Sequence, residues 1–145
     1  MKNQFLFALP FLLAWLFSWS LGAETTIVTS QQEFNTAHTN AQANDTIMWP
    51  AGTYANVVMR ITKDGLTVVA ETPGRTVFNG FSRAEIDGDH INFSGFQYVG
   101  GSIGTSDVIN IRGSDILFTQ INIRAYTCYK YLRVREESQY VDISY

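Results

Sequence analysis

Ala84-Glu85-Ile86-Asp87-Gly88-Asp89-His90-Ile91-Asn92-Phe93 and, 25 residues on, Ile109-Asn110-Ile111-Arg112-Gly113-Ser114-Asp115-Ile116-Leu117-Phe118 decide how this chain folds. In both, apolar residues alternate on either side of a short Gly-centred turn, the mark of strands with one buried face. The step of 25 runs further in both directions. Ile61 leads to Ile86 and Ile111; Leu66 leads to Ile91, Ile116 and Val141; Val68 leads to Phe93, Phe118 and Ile143. Phe96 and Ile121 match, as do Tyr98 and Ile123. Gly88 and Gly113 hold one turn position, which Ser138 takes in the next copy. Leu132 and Val134 lie 23 residues after Ile109 and Ile111, and Glu136-Glu137 restores the period by Val141.

A fixed period of this length signals a solenoid. A 25-residue unit of two or three short strands cannot bury its apolar edge alone. Copies stacked at about 4.8 Å bury that edge as a continuous column. An antiparallel sandwich also has short, regularly spaced strands, but it does not require matching residues every 25 positions. The sequence therefore predicts an all-β, right-handed parallel β-helix. Ser30-Gln31-Gln32-Glu33 matches a helix-opening capping box, and Phe34, Ala37, His38 and Ala41 share one helical face. A short helix here is expected to cover the open edge of the first coil, with His38 as a packing or surface residue. No comparable cap follows the last copy, and the expectation is that residues 24–145 are the N-terminal coils of an incomplete domain.

Residues 1–23 read as a secretory signal peptide. Lys2 supplies a positive charge, an apolar run extends from Phe5 to Trp19, and Ser20-Leu21-Gly22-Ala23 offers cleavage after Gly22 or Ala23. The run is shorter than the roughly 20 residues that span a bilayer, so a secreted or periplasmic protein is expected, with no membrane partner once the signal is removed. The formal charge is −3, and loss of Lys2 takes it to −4. That balance excludes the basic footprint of a nucleic-acid binder. A chain of this sign binds an anionic polymer only through a local basic patch or a bound cation. Cys128 is the single cysteine, so no intramolecular disulfide forms, and it reads as a small apolar core residue.

Outward positions of a β-helix stack as the inward ones do. Arg60, Glu85, Asn110 and Arg133 form one expected row, and Thr62, Asp87, Arg112 and Arg135 the next, with Asp87 placed to pair with Arg112. Lys130, Arg133 and Arg135 make the densest basic cluster, interleaved with Tyr126, Tyr129 and Tyr131. They are the candidate substrate-binding residues for an anionic polysaccharide, since cations hold carboxylates while aromatic rings stack on sugar faces. The bland alternative is a solvated face of modest ion pairs. Asp87-Gly88-Asp89 reads as turn chemistry rather than a metal site, and no metal-ligand spacing stands out.

The opening Thr29-Ser30-Gln31-Gln32-Glu33-Phe34-Asn35, followed by Trp49-Pro50-Ala51-Gly52-Thr53-Tyr54, resembles that of polysaccharide lyase family 6, which holds alginate lyases and chondroitinase B. So do Gly65-Leu66-Thr67-Val68, the stretch from Pro73 to Gly80, and Asn92-Phe93-Ser94-Gly95-Phe96. Tyr129-Lys130-Tyr131-Leu132 and Glu136-Glu137-Ser138 look more like the alginate lyase branch. The resemblance implies β-elimination on an acidic polysaccharide, most of all alginate. In that family a lysine is the base, an arginine the acid, and calcium neutralises the uronate carboxylate. It implies calcium for the full-length fold and none in this chain, because no catalytic residue or metal ligand maps onto residues 1–145. The chain alone is expected to be inactive. The competing readings are a non-catalytic carbohydrate-binding or surface β-helix and a different β-helix enzyme, such as an epimerase or a glycoside hydrolase.

Overall fold

A computed structural model describes residues 22–144. The signal-peptide segment lies almost wholly outside them. The chain winds through three parallel sheets in the repeating order A, B, C. Sheet A holds β1 (Thr25–Ile27), β2 (Thr46–Trp49), β5 (Thr67–Ala70), β8 (Asn92–Ser94), β11 (Ile116–Thr119) and β14 (Val141–Ser144). Sheet B holds β3 (Gly52–Ala55), β6 (Thr76–Asn79), β9 (Phe96–Val99) and β12 (Asn122–Arg124). Sheet C holds β4 (Val58–Ile61), β7 (Arg83–Ile86), β10 (Asp107–Ile111) and β13 (Lys130–Val134). This is the parallel β-helix that the repeat predicts, with three strands in each full coil.

The register is the predicted one. Ile61 pairs with Ile86, Val68 with Phe93 and Phe93 with Phe118. Ile111 pairs with Val134, so the 23-residue step keeps its place in the ladder. The inward residues are fully buried along most of the column, but Ile143 on the last coil is 48% exposed, because no further coil covers it among the described residues. A second column runs through sheet B. Phe78 stands with its ring centroid 5.1 Å from Trp49, 5.4 Å from Phe96 and 5.3 Å from Tyr98. Tyr98 is fully buried and its hydroxyl has no hydrogen-bond partner. Burial, with Tyr126 nearby, pushes that phenol well above its ordinary pKa. An orphaned buried hydroxyl costs about 1–3 kcal/mol. Tyr98→Phe is therefore expected to leave the melting temperature unchanged or raise it; a drop of several degrees would show that the hydroxyl is satisfied.

The corners between C and A turn at a left-handed residue in copy after copy: Gly65, His90, Asp115 and Tyr140, with φ of 71°, 57°, 57° and 53°. Only the first is glycine. The glycines singled out by the repeat serve another purpose. A Cβ on Gly88 would lie 2.4 Å from the Lys63 carbonyl oxygen, and one on Gly113 would lie 2.0 Å from that of Gly88. They permit the turns to stack. Asp89 joins the same ladder, donating its N–H to Asp64 Oδ1 and accepting the Ser114 N–H at 2.7 Å, which is the turn chemistry expected of Asp-Gly-Asp.

Helix α1 (Gln31–Asn40) closes one edge. Ser30 caps it by accepting the Glu33 N–H at 3.2 Å. Glu33 reaches back to the N–H and hydroxyl of Thr29 rather than to Ser30, so the box is closed one residue earlier than the motif suggests. The Gln31 side-chain amide pairs with both the N–H and the carbonyl of Val58, the first residue of the otherwise open β4. His38 does more than pack: its Nε2 accepts the Thr62 N–H at 3.1 Å, just past the end of the same strand.

That bond requires an unprotonated Nε2. Burial, and secondarily the Lys63 charge, lowers the His38 pKa below its usual value. The folded state thus holds this proton more weakly than the unfolded chain. The stabilisation is complete above an unfolded pKa of about 6.5 and is lost as pH falls through the lower folded value. His38→Gln, which accepts without titrating, is expected to flatten the fall in melting temperature between neutral and mildly acid pH. Parallel melting curves for the two proteins across that range would rule out His38 as the titrating group.

Candidate functional site

The outer face of sheet C concentrates the positive charge of an otherwise acidic chain. Arg60 pairs in register with Glu85, Glu85 with Asn110 and Asn110 with Arg133, as the predicted row requires. Neighbouring strands lie about 4.8 Å apart, so side chains in one outward row touch. Arg83 Nη1 is 3.1 Å from Glu85, Arg112 Nη1 is 2.8 Å from Asp87, and Arg133 Nε is 2.8 Å from Asp107. Arg60 reaches both Glu85 and Asp87, at 3.4 and 3.6 Å. Four arginines thus share three carboxylates.

Between these side chains runs a groove of about 260 Å³, bordered by Arg83, Arg112, Arg133 and Arg135 with Glu85 and Asp107. Asn110 is only 7% exposed, and its Oδ1 accepts the Arg135 Nε–H at 3.0 Å. Arg135 has no carboxylate within ion-pair distance among the described residues. The Asp107 side chain is 9% exposed, and its Oδ1 has no partner; neither does Arg83 Nε.

Of the predicted binding residues, Arg133 and Arg135 enter this groove. Lys130 does not; it borders an adjoining hollow of about 420 Å³ that shares Arg133 and Arg135 and also presents Glu136 and Glu137. Tyr129, 62% exposed, borders that second hollow, with Lys130 Nζ 5.4 Å and the Arg133 guanidinium 5.2 Å from its ring centre. The other tyrosines expected beside the cluster are elsewhere. Tyr126 is buried, its hydroxyl donating to the carbonyls of Gly80 or Ser82 and accepting the Ser82 N–H. Tyr131 lies at the last coil beside Phe118, Ile121 and Ile143. Arg83 was not singled out from the sequence, although it stands two residues before Glu85 and shares its outward parity. Cys128 is half-buried, packed against the edge of the core rather than within it.

No group of three or more His, Cys, Asp or Glu side chains is placed to hold a metal ion among the described residues. The groove carboxylates are each committed to arginine, so these residues do not fit a calcium site. A larger hollow of about 760 Å³ between β1 and α1 presents Glu24, Glu33 and Asp45. Backbone N–H donors from Thr29 to Glu33, and from Gln42 and Glu24 to Asp45, hold those two carboxyls below their ordinary pKa. Its sign is wrong for an anionic ligand.

Residues 28–130 match the sequence model of a family described as Chondroitinase B. Among solved structures, the chain is similar to the PL6 family alginate lyase AlyGC, at a TM-score of 0.65 and 24% identity, over 68% of this chain and 15% of that one. It is also similar to the PL6 family polysaccharide lyase Pedsa3628 from Pseudopedobacter saltans, at a TM-score of 0.55 and 14% identity, over 86% and 42%. At those identities the likeness is one of fold. The chain spans less than half the length of either structure. No curated protein matches it.

Proposed function

Because the chain belongs to the Chondroitinase B family of polysaccharide lyases, on its match across residues 28–130, we propose that it forms the N-terminal coils of a secreted lyase that cleaves an acidic polysaccharide, alginate foremost. The supporting observation is the excess of guanidinium groups on sheet C in a chain of formal charge −3. Such a patch draws a polyanion to a surface that would otherwise repel it.

The reaction is β-elimination. A base removes the proton on C5, the electron pair forms the C4–C5 double bond, and the bond from C4 to the glycosidic oxygen breaks with protonation of that oxygen by an acid. The carbanion-like charge needs stabilisation at the adjacent carboxylate. In this reading calcium, held by residues of the full-length fold, would supply it. No described carboxylate cluster provides that service, so the 145-residue chain by itself is expected to release no product.

The test is incubation of the full-length protein, purified from its source organism, with alginate and with chondroitin, with and without a chelator, following the ultraviolet absorbance of unsaturated uronate. Release from alginate that the chelator abolishes supports the reading. Release from chondroitin alone corrects the polymer, and release from neither refutes the lyase. N-terminal sequencing of the same preparation tests export, a start at Ala23 or Glu24 being the expected result.

A further inference from the structure

We infer that the sheet C groove is a polyuronate subsite in which Arg83, Arg112, Arg133 and Arg135 hold carboxylates of neighbouring sugars along the solenoid axis; this rests on the acidic-polysaccharide reading above. The first argument is charge. Four guanidinium groups and two carboxylates border the groove, which leaves an excess of two positive charges in a space of about 260 Å³. Ion pairs that only stabilised the coil would contribute little at a surface, and uncompensated like charges oppose folding. A bound ligand carrying two negative charges removes that excess.

The second argument is preparation of the donors. Arg135 is held by a neutral acceptor, Asn110, at the floor of the groove. Its charge is therefore oriented without being neutralised. Arg112 and Arg133 each spend one edge on a carboxylate, 2.8 Å away in both cases. Their remaining N–H groups keep the forked geometry that matches a carboxylate.

The third argument is spacing. Arg83 opens β7 and Arg133 lies on β13, while Arg112 and Arg135 stand one residue past the ends of β10 and β13, so three successive coils, about 4.8 Å apart, each bring a charge to the groove. A lone inorganic anion meets only one or two of them. A chain bearing one carboxylate per sugar presents the same kind of repeat. Tyr129, exposed beside Arg133 in the adjoining hollow, offers a ring to a sugar that continues past Arg133.

The experiment measures binding without turnover. Alginate oligosaccharides, inorganic sulfate and a neutral glucan are titrated into the 145-residue chain in chelator. The oligosaccharides are expected to bind at least tenfold more tightly than sulfate, and the glucan not to bind. The double variant R112Q/R135Q is expected to weaken oligosaccharide binding roughly tenfold to a hundredfold, the scale of two charged hydrogen bonds. R75Q/R124Q removes the same charge from exposed positions elsewhere and is expected to change it less than threefold. Equal losses in the two double variants would reduce the effect to net charge and overturn the proposal. So would a wild-type chain that ignores the oligosaccharides, whatever the cleavage assay shows. Should R112Q/R135Q fail to fold, Arg135→Lys keeps the charge but loses the fork, and unchanged affinity in that variant would equally refute the site.

Discussion

Gly113→Ala is expected to destabilise the chain by at least about 3 kcal/mol, in the range reserved for backbone or core clashes. The φ of Gly113 does not demand glycine, so the penalty has nothing to do with backbone freedom. It comes from crowding: the new methyl would sit 2.0 Å from the carbonyl oxygen of Gly88 and 2.7 Å from its carbonyl carbon. That carbonyl belongs to the turn of the coil before, and backbone cannot rotate aside as a side chain does. The coils must separate locally, which breaks ladder bonds such as those from the Arg112 and Gly113 N–H groups to Ile86 O. Gly104→Ala is the contrast. Gly104 is left-handed at φ 62°, but nothing lies within 4 Å of its added Cβ. Its loss is expected to be about 1 kcal/mol. Denaturant melts of both variants check the claim; comparable midpoints would show that the turns are not in contact.

Phe78→Ala is expected to lose about 3–5 kcal/mol. Phe78 is fully buried and meets aromatic side chains on both neighbouring coils: Trp49 and Tyr54 before it, Phe96 and Tyr98 after. Truncation removes the middle of that column, and the β-ladders on either side hold the strands too firmly to close the void. Phe78→Leu retains most of the volume and is expected to lose roughly 1 kcal/mol. Urea unfolding separates the outcomes. A fall in midpoint with an unchanged slope is expected for both. An alanine variant no worse than the leucine variant would mean that the column collapses freely.

The later coils were legible because their turns have nearly constant length. From Met59 to Ala84 to Ile109 the step is 25, and the side chains pair in register across it. Elsewhere it varies. Ile47 pairs with Val68 after 21 residues, Tyr54 with Phe78 after 24, and Val77 with Gln97 after 20. Corners absorb these differences, so the first coils and most of sheet B carry no visible period. The left-handed corners were hidden for another reason. His90, Asp115 and Tyr140 occupy them, and none of these residue types announces that conformation in sequence as glycine does.

The site was half legible. Outward parity placed Arg133 and Arg135 together, but it gave no view of the fold between coils that buries Asn110 and brings Arg83 alongside. It also grouped three tyrosines by proximity in sequence. Tyr126 follows a corner, where the alternation rule lapses, and the chain turns it inward to the Gly80 and Ser82 backbone.

The bond between the Gln31 amide and Val58 gives the solenoid a direction. A strand edge answered by a side chain accepts no further strand, whereas the opposite edge of sheet C, at β13, has no strand beside it among the described residues. A ribosome delivers the blocked edge first. Each later coil then meets a finished template, and its loss of chain entropy is offset as it is laid down rather than all at once. Order of synthesis and order of assembly coincide, which spares the early coils a long wait as unpaired strands.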